Sequence, residues 1–433
     1  MRLFIVLSAV VIFTVGCSGR QEVGELVAPV SADSLSGGSD NRVQGLVVPD
    51  SSGLAAPSGG PPMDTIARDR LQYVKFLDWD DVVERTDFIR LQTTSSCLIG
   101  EISRITLTDS LIFVFDAQGQ KVFLFDRKGA YVRTIGRQGK GPGEYVRFQT
   151  GYVDRKARQV VLFDPGAGKV HTYRYNGSHV ATVKPDYLML MSSCTLLDDG
   201  NVLCDWMLFD DRSRHAYYVL DGKTFAILST HLEHNLNTNR YMSPFARHPI
   251  SNSGEVLLLA PFSDVIYQFA DNKVVPRYFV ETDMRVRDVR AYVREVPNDL
   301  MSIQNKLCEE NSFAGFDLLM ETRQYLLLYH YRHRGRLLWD KVHKSGVSFV
   351  ATIKGPGRMR ETIFTSMIGA TENVFIGQWT ASEVVLFREN VGTSGLAPTL
   401  KQIVTQTKED DNPVIVLYHM KDRIGVLPVE SGK

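Results

Sequence analysis

The sequence predicts an all-β protein, a six-bladed β-propeller, and three observations lead to this fold class. Short apolar segments recur in pairs along most of the 433 residues. Segments such as LIFVFD (111–116) and KVFLFD (121–126) are apolar almost without interruption, which is typical of strands covered on both faces. The paired unit returns six times, and small sheets packed face to face around an axis cover their strands in this way. A β-sandwich would show alternation, and a β-helix would have a shorter period.

Each unit contains two strong strands and a following extended segment. A weaker strand precedes them, as in RITLTD (104–109) and TGYVDR (150–155), so a blade has three or four strands. The interval before the fifth unit is longer because it holds an insertion. The strong strands are predicted at Leu111–Asp116 and Lys121–Asp126, Val160–Asp164 and Lys169–Tyr175, Asn201–Trp206 and His215–Asp221, Glu255–Phe262 and Val265–Asp271, Tyr325–Tyr331 and Arg336–Val342, and Asn373–Trp379 and Glu383–Asn390.

The N-terminus predicts export and a lipid anchor. Arg2 precedes an apolar run, Leu3–Val15, which is shorter than the roughly 20 residues needed to cross a bilayer and fits a signal peptide. The ending TVGC resembles the lipobox of bacterial lipoproteins. This resemblance implies that residues 1–17 are a lipoprotein signal peptide and that Cys17 carries the lipid. The alternative is an ordinary signal peptide that contains a cysteine.

Residues 18–63 differ from the rest of the chain because they are rich in Gly, Ser and Pro and contain no aromatic residue. Such a segment cannot bury enough apolar surface to offset its ordering entropy. We therefore expect a flexible tether at 18–63, and a propeller body at 64–433.

Two segments interrupt the strand pattern of the body. In residues 284–310 apolar residues fall at helical spacing, first from Val286 to Val296 and then from Leu300 to Leu307. This helical insertion is a stabilising decoration or, alternatively, a lid over a binding site. After the sixth unit, residues 396–411 predict a helix. The following Pro413–Tyr418 predicts a strand that pairs with the first blade or borders the last, and so covers an open sheet edge.

The glycine-rich stretch GRQGKGPGEY (136–145) could be a phosphate-binding loop or a turn between strands. Gly136 and Gly141 have the Walker spacing, but Pro142-Gly143 follows them instead of Lys-Ser/Thr, and no helix follows. The dinucleotide pattern also fails, because Glu144 stands where its third glycine belongs. The stretch therefore predicts the crossing from the outer strand of the first unit to the inner strand of the second, where glycine permits positive φ.

The same stretch carries a family resemblance. IGRQGKGPGEY (135–145), placed after three strands, resembles the six-bladed β-propeller lipoproteins common in Bacteroidetes, which are similar in shape to NHL-repeat propellers. The resemblance covers about residues 88–420 and includes DDNPVIVLYHMK (410–421), which looks like that family's closing segment. It implies an exported propeller. It implies no catalytic residues, since most of the family has no assigned activity.

Composition and motifs give little sign of catalysis. The 49 basic and 49 acidic residues cancel, so the sequence gives no positive footprint for nucleic acid. The closest histidine pairs, in HLEH (231–234) and HYRH (330–333), lack the zincin spacing, and GxSxG does not occur. We predict no metal and no cofactor. Recurring aspartates at strand ends are predicted to form turns rather than to bind metal: Asp116, Asp126, Asp164 and Asp221.

A binding site in a propeller is expected at the central channel, which the innermost strands line. The segment RYMSPFARHP (240–249) is the richest in suitable side chains, because an aromatic residue beside an arginine suits an anionic or sugar ligand. The competing interpretation is a packed strand start without a ligand. The polar residues that lead into the innermost strands are Arg104, Gln149, Ser192, Arg247, His248, Asp317 and Thr365. The predicted ligand-binding residues are Tyr241, Arg247, His248 and Arg104.

The predicted function is that of a binding or interaction module in the cell envelope. Its lipid would anchor it to the outer membrane, on the periplasmic or the surface side, and its ligand would be a small molecule, a glycan or a protein. The alternative is a metal-dependent hydrolase or lyase, similar to lactonases, with its site in the channel. Converging carboxylates or imidazoles there would favour the enzyme, whereas aromatic and hydroxyl residues would favour binding.

The cysteines Cys194 and Cys204 flank the turn LLDDGN (196–201). A two-residue turn at Asp199-Gly200 would send the two thiols to opposite faces, whereas a three-residue loop, 198–200, would place them directly opposite each other. Both registers are common. Because disulfide geometry is narrow, we predict that both cysteines stay reduced and fill the interior of the third unit.

Overall fold

The fold is described by a computed structural model of the chain, which covers residues 63–425 except 187–190, 206–207, 210–214, 234–240, 243–249, 252–254, 261, 285, 287–299, 331–334 and 354–366. Six sheets of four or five strands, together with one two-stranded ribbon, form this part of the chain. The sheets are the blades of a six-bladed β-propeller, as the sequence predicts. Within the described ranges, no helix combines the length and the apolar character needed to cross a membrane.

The described chain begins by running along the rim of the propeller. β1 (Asp64–Ile66) and β2 (Leu71–Asp78) add in parallel to the outer edges of blades 4 and 5, with a 3₁₀ turn (Arg68–Arg70) between them. After α1 (Trp79–Val82), β3 (Val83–Arg90) becomes the outermost strand of blade 6. Because sheet twist accumulates from strand to strand, outer strands turn toward the circumference, and short connections can pass between blades. We call residues 64–90 the belt; the sequence analysis did not predict it.

Blades 1 to 3 are each built from one continuous stretch of chain, with the innermost strand first and the outermost last. Blade 1 contains β4 (Ile102–Leu107), β5 (Leu111–Asp116), β6 (Lys121–Asp126) and β7 (Tyr131–Ile135). Blade 2 contains β8 (Thr150–Asp154), β9 (Gln159–Asp164), β10 (Lys169–Arg174) and β11 (His179–Val183). Blade 3 contains β12 (Cys194–Leu196), β13 (Val202–Asp205), β15 (His215–Leu220) and β16 (Ile227–Glu233), while β14 (Leu208–Phe209) pairs with β17 (Tyr241–Met242) as a separate ribbon.

Blades 4 to 6 each receive a strand of the belt. Blade 4 contains β18 (Ile250–Ser251), β19 (Val256–Leu259), β20 (Val265–Ala270), β21 (Lys273–Val280) and then β1. Blade 5 follows helix α2 (Leu300–Glu309) and contains β22 (Phe316–Glu321), β23 (Tyr325–His330), β24 (Arg336–Asp340), β25 (Ser345–Ile353) and then β2. Blade 6 contains β26 (Met367–Ala370), β27 (Val374–Trp379), β28 (Val414–Met420) and β3; helices α3 (Ala381–Val391) and α4 (Pro398–Gln406) connect β27 to β28.

Two predictions about the last blade are wrong. The predicted strand at 383–390 lies within helix α3, which begins with a capping box: the Thr380 side chain accepts the Glu383 amide hydrogen, and the Glu383 carboxylate accepts that of Thr380. The predicted strand at 413–418 lies within β28, which is an interior strand between β27 and β3 and does not border the sheet. The edge of blade 6 is covered by the belt, from the other end of the described chain.

The other predicted additions are found where the structure describes them. Helix α4 lies within the segment 396–411 that predicts a helix. In the insertion at about 284–310, the second predicted helix is α2, whose Ile303 and Leu307 are buried. The first predicted helix of this insertion falls mostly on residues 287–299, outside the described residues.

The apolar core lies between neighbouring blades, as the uninterrupted strands predict. One cluster joins Phe113 and Phe115 of blade 1 to Val160 and Leu162 of blade 2. Strand β5 has five consecutive buried positions, which is possible only if both of its faces are covered. Each blade therefore forms an apolar layer with the blade on either side.

Candidate functional site

The two faces of the propeller differ in the connections that they carry. Adjacent strands of a blade are antiparallel. Three features therefore lie on the same face of the propeller: the start of the innermost strand, the connection from the preceding blade, and the connection between the second and third strands. This face, which we call the insertion face, carries α2, α3, α4 and the β14–β17 ribbon. The opposite face, the turn face, carries short turns such as 127–130 and 175–178. Long connections surround one mouth of the channel, where a ligand would enter.

Three adjacent blades bring polar side chains together near that mouth. Arg104, on β4 of blade 1, reaches past blade 2 and donates from Nη1 to the carbonyl oxygen of Cys194 on β12 of blade 3, at 2.6 Å. Thr150 begins β8 of blade 2 and is hydrogen-bonded to the Cys194 thiol. We call Arg104, Thr150 and Cys194 the channel triad. Its members come from the first three innermost strands, and Arg104 is its partly exposed member.

Burial controls the ionisation of the channel triad. It raises the pKa of the Cys194 thiol to about 11, although the Arg104 guanidinium and the hydrogen bond to Thr150 oppose this shift. The thiol is therefore protonated at neutral pH, and the guanidinium carries the positive charge of the triad. No carboxylate of the described residues lies within ion-pair distance of Arg104. A ligand with an anionic group would find a cation here that no carboxylate of the described residues neutralises.

A buried carboxylate lies directly behind the channel triad. Asp205, at the end of β13, accepts the amide hydrogens of Ser192 (2.9 Å) and Ser193 (2.8 Å) and the Ser192 hydroxyl hydrogen. Burial raises the pKa of Asp205 to about 6, and these hydrogen bonds counteract part of that rise. The Ser193 hydroxyl oxygen is buried and has no hydrogen-bond partner within the described ranges. Asp205 thus fixes the backbone that leads into β12.

The same arrangement recurs in the two preceding blades. Asp116 accepts the amide hydrogens of Gly100 and Glu101, and Asp164 accepts those of Val146 and Arg147. The prediction that these aspartates form turns is confirmed: Asp116 also accepts from Gln118 and Gly119, Asp164 from Ala167, Asp126 from Lys128 and Ala130, and Asp221 from Lys223 and Thr224. The second role of Asp116 and Asp164 was not predicted from the sequence. The backbone amides that donate to them lie before the innermost strand and are distant from them in sequence.

Blade 5 contains a buried aromatic cluster. His330 packs against the rings of Phe313 and Phe316, with centroid distances of 5.9 and 4.9 Å. Asp317 follows Phe316 at a register shift in β22, and a second register shift precedes Arg104 in β4. Such bulges redirect individual side chains of a strand.

The structure describes some of the predicted site residues and not others. It places Arg104 on β4, the innermost strand of blade 1. It places Tyr241 in β17, whose backbone pairs with β14, and Arg247, His248 and Thr365 lie outside the described residues. Sequence analysis missed Thr150 and Cys194 as neighbours of Arg104. The order of the blades could have suggested them, because both residues begin innermost strands.

The glycine-rich stretch is a turn between blades 1 and 2, as predicted, and its structure explains why phosphate does not fit. The Gly141 amide donates to the Glu144 carboxylate at 2.8 Å, and that carboxylate pairs with Arg137 at 3.3 Å. A Cβ atom on Gly139 would lie 2.0 Å from a Glu144 carboxylate oxygen, so a larger residue there would displace the Glu144 side chain. The loop thus holds its own carboxylate where a phosphate group would have to bind.

Possible metal ligands do not converge in the parts of the chain that the structure describes. No group of three or more His, Cys, Asp or Glu side chains there has the arrangement of a metal site. Two histidines of the closely spaced pairs in the sequence are described. His231 contacts Ser229 and the ring of Phe269, and His330 packs against the rings of Phe313 and Phe316. His234 and His333 lie outside the described residues.

The sheet order and the ring of innermost strands define the class of the protein, a six-bladed β-propeller with its long connections on one face. The chain belongs to the family described as "Domain of unknown function (DUF4934)", whose sequence profile matches residues 72–419. Its resemblance to Bacteroidetes propellers is thereby supported. No curated protein of known function matches the chain.

A solved structure supports the fold, and two others show a weaker likeness. A putative exported protein from Bacteroides fragilis NCTC 9343 is similar with a TM-score of 0.65 and 18% identity, over 81% of this chain and 100% of that chain. A member of the DUF4221 family from Bacteroides vulgatus ATCC 8482 gives a TM-score of 0.46 and 9% identity, over 78% and 97%. A virginiamycin B lyase from Staphylococcus aureus gives 0.32 and 8%, over 64% and 82%. At these identities the likeness concerns the fold alone.

Proposed function

We propose that the protein is a lipid-anchored binding module of the cell envelope, which holds an anionic small molecule or glycan at the insertion-face mouth of its channel. The observation that carries this proposal is the position of Arg104. The Arg104 guanidinium reaches from blade 1 to blade 3 and uses one of its N–H donors in the hydrogen bond to the Cys194 carbonyl oxygen. A guanidinium has five N–H donors, and its planar shape matches a carboxylate or phosphate group.

The surroundings of Arg104 suit a polar ligand. Thr150, at the start of the innermost strand of blade 2, supplies a hydroxyl group, whereas the Ser193 hydroxyl is fully buried. Hydroxyl groups next to a cation favour a ligand that carries both an acid group and hydroxyl groups, such as a sugar acid. The residues Tyr241, Arg247 and His248 remain ligand contacts proposed from the sequence.

The binding proposal is tested with defined probes and a matched arginine. Thermal shift and titration calorimetry on the full chain would use glucuronate, N-acetylneuraminate, succinate and inorganic phosphate, with glucose as the neutral control. Arg133 is the matched control, because its Nη1 also donates to a backbone carbonyl, that of Asn176, at 2.6 Å, but at the rim of the propeller. We expect Arg104→Gln to weaken binding of the acidic probes at least about tenfold, a loss typical of one charge-assisted pair.

Arg133→Gln should leave that binding unchanged. Equal binding by Arg104→Gln and the wild type, or no response to any acidic probe, would contradict an anionic ligand at this mouth. If a divalent metal were needed for binding and the acidic probe were then consumed, the alternative of a metal-dependent hydrolase or lyase would replace the binding module.

The location in the envelope rests on the N-terminus. The apolar run before Cys17 and the Gly/Ser/Pro-rich segment that follows it support an acylated anchor and a tether, and a structural relative is described as a putative exported protein. Cells grown with labelled palmitate should label the wild-type protein and fail to label Cys17→Ala. Equal labelling of both proteins would show that Cys17 is not the residue that carries the lipid.

A further inference from the structure

Cys194 and Cys204 lie directly opposite each other in the β12–β13 hairpin. The loop is therefore the three-residue one, with Gly200 at φ +87°. Next to the cysteines, the Asp205 amide donates to the Ser193 carbonyl at 3.2 Å. Hydrogen-bonded and non-hydrogen-bonded pairs alternate along antiparallel strands, so Cys194 and Cys204 form a non-hydrogen-bonded pair.

A pair of this type can accept a disulfide without movement of the backbone. Its Cα atoms are about 4.5 Å apart in regular sheets, and disulfides join Cα atoms about 4.4–6.8 Å apart. Both side chains pack in one apolar cluster, whereas Cys97 packs in another cluster and Cys308 borders a third. Among the four described cysteines, only Cys194 and Cys204 are placed to bridge each other.

We propose that Cys194 and Cys204 are a disulfide-forming pair in the interior of blade 3. They are free thiols in the structure, and a disulfide oxidant of the envelope would close them by thiol–disulfide exchange. One thiolate attacks the oxidant RSSR and releases RS⁻, which leaves a mixed disulfide; the other thiolate then attacks the protein sulfur and releases a second RS⁻. Overall, two thiols and RSSR yield one protein disulfide and two RSH, so the protein loses two electrons and two protons.

Burial determines when this exchange takes place. Cys194 and Cys204 are 1% and 0% exposed, and burial raises the pKa of both thiols. Because the thiolate is the reacting form, the folded dithiol reacts slowly. The hairpin joins residues close in sequence, so the disulfide forms during folding, before blade 3 packs against its neighbours. After folding, the same burial protects the disulfide from reductants.

The expectation from sequence that both cysteines stay reduced agrees with the free thiols of the structure. The proposal departs from it because the register, which the sequence left open, places the two cysteines directly opposite each other. The part of that expectation that concerns packing is confirmed, since both side chains are buried in the interior of blade 3. The disulfide does not depend on the proposed ligand. Its failure would leave the Arg104 experiment unaffected, and the reverse also holds.

The test uses the full chain, purified from the envelope of a host that exports it. The protein is denatured in iodoacetamide, then reduced, labelled with N-ethylmaleimide and mapped by mass spectrometry. We expect Cys194 and Cys204 to carry the second label in most molecules, and Cys97 and Cys308 to carry the first. Complete iodoacetamide labelling of Cys194 and Cys204 would overturn the proposal.

A variant and a rate measurement sharpen the test. Cys194→Ser should move Cys204 to the first label, and Cys97→Ser should change nothing at the pair; if Cys194→Ser does not fold, the wild-type map still decides. Reduced protein incubated with oxidised glutathione should form the disulfide at least about tenfold faster in urea than in buffer. Equal rates would contradict protection by burial.

Discussion

The two halves of the ring secure their blades in different ways. In blades 1 to 3, the second strand ends in a buried aspartate that holds the start of the innermost strand: Asp116, Asp164 and Asp205. In blades 4 to 6 no second strand ends in an aspartate, and each blade receives a strand of the belt at its outer edge. The first half is thus fixed near the channel, and the second half is fixed at the rim.

The two ways of fixing a blade have different structural requirements. A buried carboxylate is tolerated only where backbone amides satisfy it, and it makes the blade sensitive to protonation. An added strand supplies backbone hydrogen bonds and apolar area but requires a separate segment of chain. The channel triad lies in the half that is fixed by carboxylates. Its geometry therefore depends on those carboxylates more directly than on the belt.

The prediction with the largest expected effect compares β2, a strand of the belt, with β11, the outermost strand of a blade that receives no belt strand. Leu77 of β2 is fully buried, whereas Val180 of β11 is 36% exposed. We expect Leu77→Ala to lower the free energy of unfolding by about 2–5 kcal/mol, because it opens a cavity in the core. Val180→Ala should cost less than about 0.5 kcal/mol. Urea unfolding measures both; similar losses would mean that the belt is a surface decoration.

The second prediction removes one inner carboxylate. Asp164→Ala removes the acceptor of the Val146 and Arg147 amides and the side-chain acceptor of the Ala167 amide, so we expect a loss of about 2–4 kcal/mol. The control is Asp126→Ala, since Asp126 accepts amide hydrogens in an exposed turn where water can replace it. A loss no larger than that of the control would contradict the role of Asp164 as an anchor of the innermost strand.

The third prediction concerns pH. Burial raises the pKa of Asp205 to about 6 from an ordinary value of 3.8, so the folded protein binds the proton more tightly than the unfolded chain. The stabilising contribution is full below pH 4 and is lost as the pH rises through about 6. Asp205→Asn lacks this titration. We expect the wild-type free energy of unfolding, relative to the variant, to fall by about 1–3 kcal/mol between pH 4 and pH 7.

Urea unfolding at a series of pH values measures this difference. A difference that stays constant over the series would show that Asp205 titrates at its ordinary pKa. Asp205 would then not make the first half of the ring, blades 1 to 3, sensitive to pH.

The smallest expected effect defines where the belt begins. The first described strand of the chain is β1, at Asp64, and residues 18–63 contain no core-forming pattern. Removal of 18–63, with Cys17 retained, should change the Tm by less than about 5 °C. A larger fall in Tm would mean that the segment packs on the body and that the belt extends upstream of Asp64.

The sequence alone determined the blades that are continuous in the chain. The second strands of blades 1 and 2, β5 and β9, are nearly uninterrupted apolar runs bounded by turn residues, and their strand type follows from that local pattern. The aspartates at their strand ends were identified as turn formers for the same reason. Arg104 was identified as a channel residue because it occurs in an innermost strand.

Tertiary structure decided the last blade. Blade 6 collects β3 from the belt, β26 and β27, and β28 from beyond two helices, so its partners are far apart in the sequence. The run EVVLFREN (383–390) is too short for its apolar content to separate strand from helix. The capping box of Thr380 and Glu383 was the local signal for helix α3 that could have corrected the prediction.

Tertiary structure also decided the site. The contact of Arg104 with Cys194 depends on the relative rotation of blades 1 and 3, and no local pattern encodes such a rotation. The register of Cys194 and Cys204 was open in the sequence because two turn types have similar stability there. Packing of the hairpin between its neighbours selected the three-residue loop, since a slip of one residue would move every side chain of a strand to the opposite face.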